Sequence, residues 1–492
     1  MGWREIERLR ADIVALSCAT MLPFLAMALY VESLFYEVGA VYNDAGLFAQ
    51  VIHRNDLWLS VPAAFSETPR PYFHTHLTLF MVPLTLVSRV LPLGVAQLFA
   101  LFHGVVVALV AGAAYRALFL AFGSRALGVG GAWALALCGI CVHASWNAHF
   151  EIAIPALVWS ASIALFQRRR QLALGLLLAL FATREDAPFH FALFFGAVTM
   201  LAPPARAEDR AIAFRFLGVA IALGLVLVVM QRVFFPPLPV FALVYSGEPP
   251  WAHLTSAAWS ERVRYLLAHR VDLWMPLCVV GIAGVVLRER VLLAALAAAA
   301  PWVALHLGAS FEGASRFAIH YGFPLLTTLL APSLAMIHSP SRGDAVRRRR
   351  LITVQIAVLA LAAIRADASP PLYVLSPISG GFGHATDADV VRQTERVLDH
   401  LEAQRRAGAS VCASDTVASL RRDLVGHRER IRAGGRAPLG CDLIVSFERD
   451  HDAEGIERAR REGASRARCA VIDTHLVVDR PADAEWPFHC RS

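Results

Sequence analysis

The chain has 492 residues, of which 57% are hydrophobic and 17% charged; a soluble protein carries about 25% charge. Mean hydropathy is +0.52 and the formal charge is +7. All 46 basic residues are arginine, which excludes chemistry built on a phosphate-loop lysine or a Schiff-base lysine.

The composition is that of a multi-pass membrane protein. Residues 1–365 hold about 28 arginines against 19 acids, and residues 366–492 about 18 against 20. The positive excess therefore belongs to the apolar part, where arginine-rich loops mark the cytoplasmic side. It calls for no nucleic-acid partner.

Arg4, Arg8 and Arg10 precede the apolar run Asp12–Val31, close to the roughly 20 residues that span a bilayer. No small-residue cleavage site follows, so an uncleaved first helix with a cytoplasmic N-terminus is expected. The polar stretch Val41–His76 comes next, with Asp44, His53, Asp56, Arg70, His74 and His76. Such a cluster is costly in hydrocarbon unless it faces water, a substrate or a partner. It is expected in the first external loop, about 32–76.

Further apolar segments lie near 73–92, 94–115, 126–145, 149–166, 171–183, 187–202, 213–235, 272–287, 291–308, 317–337 and 351–365. Arg168–Arg170, Arg206 with Arg210, Arg288 with Arg290, and Arg347–Arg350 fall at alternate loops. Placing them all inside puts 143–151, 183–190, 236–272, 308–316 and the tail outside. An inside N-terminus and an outside tail need an odd number of spans, yet twelve segments are counted. The expectation is a polytopic helical protein of about 11–13 spans. Segment 73–92, with Pro83, Arg89 and Pro92, is expected to be re-entrant or to lie along the surface, unless a span near 94–122 is missed or split.

From about Ala366 the chain changes character, and 366–492 reads as a separate α/β domain. Asp387–Arg406 and Asp452–Glu462 read as helices; Ser410–Ala413, Asp442–Phe447, Cys469–Ile472 and His475–Val478 read as strands. Gly380, Gly381 and Gly383 lack the strand–turn–helix setting of a dinucleotide site and read as linker. Cys18, Cys138, Cys141 and Cys278 lie in or near apolar segments as small core residues. Cys412, Cys441, Cys469 and Cys490 form either two disulfides, in any of three pairings, or buried free thiols.

The strings YNDAGLFAQVIHRNDLW and HTHLTLFMVPL, then HFEIAIPAL, ATREDAP, HYGFPLL, SVCASDTVASLRRDLVGHRERI and CDLIVSF, run in order along most of the chain. Together they resemble a family of prokaryotic multi-pass membrane proteins of unknown function, grouped with the GT-C glycosyltransferases. The resemblance implies a GT-C-like membrane domain over 1–365, a polyprenyl-phosphate-linked sugar as donor, and an acidic residue of the first external loop as base. Asp44 is the matching position. Many GT-C enzymes carry adjacent acids there, whereas this chain has Asn43–Asp44, and Ala49 stands where relatives often have a second acid.

A carboxylate that takes a proton from an attacking hydroxyl is what inverting transfer requires. Asp44 fits that role, or else it caps a helix. His74 and His76 face one side if the chain is extended. They read as phosphate or substrate contacts, as interfacial structure, or as ligands of a divalent metal with His149, Glu151 or Asp44. His149 and Glu151 begin an outside-facing span. Arg184, Glu185 and Asp186 share the next outside turn, and Arg316, His320 and Tyr321 another. Arg184 and Arg316 are candidates to hold lipid phosphate through charge-assisted bonds; the alternatives are a local salt bridge and interfacial snorkelling. Membrane lipid is the other expected partner. The expected location is a bacterial inner membrane with the tail outside. A transporter or flippase of a lipid-linked or polar solute, and a non-catalytic scaffold, are the rival readings; no inverted repeat is evident to favour the first.

Overall fold

The computed structural model describes residues 3–38, 43–66, 70–146, 149–204, 206–236, 242–317, 321–338, 345–363, 387–421, 424–426, 428–431, 440–448, 453–461 and 466–491. The chain is mainly helical, with a small sheet near its C-terminal end. Four helices are long and apolar enough to cross a membrane: Glu5–Tyr36, Val95–Phe122, Ala207–Phe234 and Arg290–Leu307. At 1.5 Å per residue, a 28-residue helix runs about 42 Å, beyond the roughly 30 Å of a hydrocarbon core. Ala207–Phe234 leaves Ile221, Leu225, Val229, Val233 and Phe234 exposed along its length, a surface that suits lipid better than water.

Ser256–His269 and Val271–Val286 make a fifth candidate if taken as one broken span, bent by 88°. Arg270 is the corner. Its guanidinium is buried against both oxygens of Asp272 at 3.0 Å and bonds the Phe317 carbonyl. By length and composition the described helices thus give four or five spans, fewer than hydropathy counts. The other segments form shorter helices, including Met81–Val90, Phe150–Phe166, Arg170–Thr183 and Ala187–Leu201. Segment 73–92 is α-helical over ten residues, about 15 Å, too short to cross a bilayer. Segment 126–145 breaks into Arg125–Ala136 and Gly139–Trp146. Asp272 explains the glycine at that break: a Cβ on Gly139 would lie 2.7 Å from its carboxylate. Segment 317–337 breaks into Phe323–Leu325, Leu326–Leu329 and Ala331–His338, where Pro324 and Pro332 each lack a ladder donor.

The arginine loops gather at one end of the bundle. Arg125 pairs with Asp12 at 2.7 Å, Arg348 donates to the Ala121 carbonyl at 3.0 Å, and Arg347 bonds Glu289 at 2.9 Å. Arg168 and Arg170 reach Asp209 and Glu208 at 2.6 and 2.7 Å.

In the tail, the helix Ala388–Arg406 is capped by Asp387, whose carboxylate accepts from the Asp389 amide at 2.8 Å. Its buried Thr394, Val397, Leu398 and Leu401 recur at helical spacing. The strands are β1 (Val411–Ser414), β2 (Arg430–Ile431), β3 (Leu443–Phe447), β4 (Arg466–Val471), β5 (Leu476–Pro481) and β6 (Cys490–Arg491), in sheet order β2-β1-β3-β5-β4-β6. β1 is parallel to β2 and β3, and the remaining pairs are antiparallel. β1 and β3 are buried throughout, which is why they read as unbroken apolar runs. Of the three open pairings, Cys412–Cys441 and Cys469–Cys490 form; Cys18, Cys138, Cys141 and Cys278 are free. The short helix Asp415–Leu420 and strands β2 and β6 have no signature in the sequence reading. Gly380, Gly381 and Gly383 lie outside the described residues.

The tail docks on the polar stretch that follows the first long helix. Asp415–Leu420 packs across the helix Asn43–Ile52. Gln50 donates to the carbonyls of Ala418 and Ser419 at 2.6 and 3.0 Å. Tyr36 donates to Glu395 at 3.0 Å, and Arg430 donates to the Ala64 carbonyl at 3.1 Å while lying over the Phe65 ring.

Candidate functional site

A cavity of about 600 Å³ opens at the bundle end away from the arginine loops. Four helices run between the two ends: Ala153–Phe166, Arg170–Thr183, Ala187–Leu201 and Ala207–Phe234. Turns and helix ends supply its polar lining, since polar side chains there interrupt no apolar packing along the helices.

The segment after His74 is held in place by its neighbours. Gln231, near the end of Ala207–Phe234, donates to the carbonyls of Phe73 and Thr75 at 3.2 and 3.3 Å. The Phe80 amide donates to the Ala182 carbonyl at 3.0 Å. His76 thereby meets Glu185, Nδ1 to Oε1 at 2.9 Å, and the Leu77 amide donates to the other Glu185 oxygen at 2.8 Å. Across the cavity Glu151, 1% exposed, sits between His149, which bonds it through Nδ1, and Arg184, which donates to it at 3.0 Å. Arg184 also grips both oxygens of Asp186. Phe48 fixes this corner, its ring edge-on to His149, Phe150 and Tyr72.

Burial acts against both members of the Arg184–Asp186 pair. For Asp186 burial raises the pKa, but the charge and hydrogen bonds of Arg184 prevail and hold the carboxyl below its usual range. Burial likewise lowers Arg184, and the carboxylates of Asp186 and Glu151 override it, so the guanidinium stays charged.

The structure thus brings His76, His149, Glu151, Arg184, Glu185, Asp186 and Tyr321 to one cavity. His74 goes elsewhere: it ends a 3-10 turn, not an extended strand, and its Nδ1 bonds the Pro236 carbonyl at 3.0 Å. Arg316 lines a separate recess, paired with Glu312, 3.7 Å from Glu261 and stacked over Tyr265 at 4.6 Å. Asp44 lies in the first turn of Asn43–Ile52, with its side chain outside the described residues, as is all of His320. Among the described residues no group of three or more His, Cys, Asp or Glu is placed to hold a metal ion.

Arg232, Tyr245, Trp302 and His306 also line the cavity, and the sequence reading missed them. A signal existed for two: Trp302 and His306 are four residues apart, on one helix face, at the same end as Thr183 and Arg232. Trp302 stacks flat on His190 at 4.0 Å, and His306 bonds the Trp302 carbonyl at 2.8 Å. The lining thus combines three carboxylates, two arginines, two histidines bound to carboxylates, and aromatic rings. No family model, no curated protein and no solved structure matches this chain.

Proposed function

We propose that the protein is a membrane glycosyltransferase of GT-C type. It moves a sugar from a polyprenyl-phosphate donor to an acceptor hydroxyl outside the cytoplasm. The observation that carries this reading is the convergence of His76, the His149–Glu151–Arg184–Asp186 network, Glu185 and Tyr321 on one cavity, from segments far apart in sequence. Asp44 is the proposed base. Position 44 lies three and four residues before Leu47 and Phe48, both of which line the cavity, and helical spacing puts all three on one face. With Arg184 held by two carboxylates and Arg316 in another recess, Arg232 at the cavity is the better candidate for the donor phosphate. The exposed apolar faces support insertion in a bacterial inner membrane, with the short helices completing the bundle of 11–13 segments. The two tail disulfides and the opposite placement of the arginine loops support a cavity and tail facing outside.

The test profiles the surface glycans and glycolipids of cells carrying the intact gene, a deletion, or Asp44→Asn. Asp44→Asn is expected to reproduce the deletion profile with normal protein levels. A deletion profile that Asp44→Asn fully restores to normal sinks the catalytic role. Purified protein in vesicles separates the transporter reading: transfer yields a new glycosidic product, whereas a transporter moves solute unchanged.

A further inference from the structure

A further recess, of about 410 Å³, lies at the opposite ends of the same four helices. It belongs to no part of the site described above. Its walls are apolar: Phe166 and Phe195 stack with centroids 6.1 Å apart, and Ile212 and Leu165 complete them. His338 closes one side, its ring edge-on to Phe166 at 4.8 Å.

The rim is cationic. Arg168, Arg170 and Arg206 line it, with Asp209 as the opposing acid. Arg168 and Arg170 hold ion pairs to Asp209 and Glu208, and about half of each arginine side chain stays exposed. Exposed pairs of this kind are weak and exchange readily for a stronger anion. Arg206 is exposed on the same rim. The helices Arg170–Thr183 and Ala207–Phe234 both begin here, neither with a side-chain cap. Both present the positive end of a helix dipole, which Glu208 and Asp209 in the first turn of Ala207–Phe234 partly offset. An apolar slot under a cationic rim, between helices at their arginine-rich ends, matches one class of ligand: an amphiphile with an anionic phosphate head.

We infer that this recess binds an anionic glycerophospholipid, its phosphate on Arg206 and Arg168 and the upper part of one acyl chain against Phe166, Phe195 and Ile212. The inference rests on the membrane setting of these helices but not on the glycosyl-transfer reading. Carbonate extraction of membranes tests the setting by itself.

The binding test uses the full chain in a neutral detergent, with retention read by native mass spectrometry. Phosphatidylglycerol and phosphatidylcholine of equal chain length are offered together, and inorganic phosphate is titrated separately. Phosphatidylglycerol is expected to be retained at least about tenfold better than phosphatidylcholine. Arg168→Ala with Arg206→Ala, both exposed positions, is expected to abolish the preference, while Arg210→Ala, exposed at the start of the helix Ala207–Phe234 but not lining the recess, leaves it intact. Equal retention of the two lipids overturns the inference. So does an equal loss in Arg210→Ala, which would mean diffuse surface charge. Displacement of the lipid by equimolar inorganic phosphate would assign a phosphate site and overturn the lipid assignment.

Discussion

Gly46→Ala gives the sharpest test of how the tail meets the cavity helix. In a helix interior this change alone adds about 1 kcal/mol of stability. Here a Cβ on Gly46 would lie 1.8 Å from the Ser419 Oγ and 2.6 Å from its Cβ. The hydroxyl can rotate away, at the loss of its 2.7 Å bond to the Asp415 carbonyl, about 1 kcal/mol. The Cβ cannot rotate, and carbon atoms pack at about 3.5–4.0 Å, so Asn43–Ile52 and Asp415–Leu420 must separate by about 1 Å. Overpacking of this kind costs about 1–3 kcal/mol. The net expectation is a loss of about 1–3 kcal/mol in docking, hence roughly five- to 150-fold faster amide exchange. Hydrogen–deuterium exchange of the full chain in detergent, followed over 43–52 and 415–420, reads this locally. Ser419→Gly in the same chain is expected to restore protection. Slower exchange in Gly46→Ala would show that helix propensity wins and the close approach does not hold.

Asp186→Asn removes the charge that holds Arg184 on its outer side. With Glu151 still bound and 31% of the Asp186 side chain accessible, the cost is about 1–3 kcal/mol, below that of a fully buried pair, read as a lowered midpoint in thermal unfolding. Because the folded Asp186 pKa lies below its unfolded value, the wild-type stabilisation is complete above the unfolded aspartate range. It disappears as pH falls through the lower folded value, and Asp186→Asn should flatten that acid limb. Asp272→Asn breaks a pair whose two side chains are each 2% exposed and is expected to cost about 3–5 kcal/mol, seen as loss of monodisperse protein on size exclusion; wild-type behaviour would refute the buried corner. Non-reducing peptide mapping should recover the Cys412–Cys441 and Cys469–Cys490 pairs. Loops of 29 and 21 residues imply about 3 kcal/mol of tail stability lost per bridge on reduction.

Much of the local structure was legible because it rests on short-range rules. The cap at Asp387 and the i, i+3, i+4 spacing of Thr394, Val397 and Leu398 identify their helix unaided. The buried runs of β1 and β3 read directly as strands, whereas β2 and β6, two residues each, carry no periodicity. Glu151, Arg184, Glu185 and Asp186 were legible individually, since carboxylates and arginines among apolar segments need partners, whereas Arg232 was not singled out.

Sequence by itself determined the apolar helical character, the arginine loops at alternate connections, the change of character near residue 366, and the polar turns His149–Glu151 and Arg184–Asp186 as places of interest. Tertiary structure alone decided which of these meet. His76 reaches Glu185, 109 residues away, while His74, two residues off, turns to Pro236; local spacing cannot distinguish the two because a 3-10 turn replaces the extended chain. Arg184 is consumed by Glu151 and Asp186, which leaves Arg232 as the other arginine lining the cavity. Hydropathy counts apolar residues without knowing whether a helix is continuous, so it could not see the breaks at Cys138 and Pro324. Nor could it see that the tail sits on Gly46 and Gln50, because that contact is made by backbone carbonyls and by the absence of a side chain.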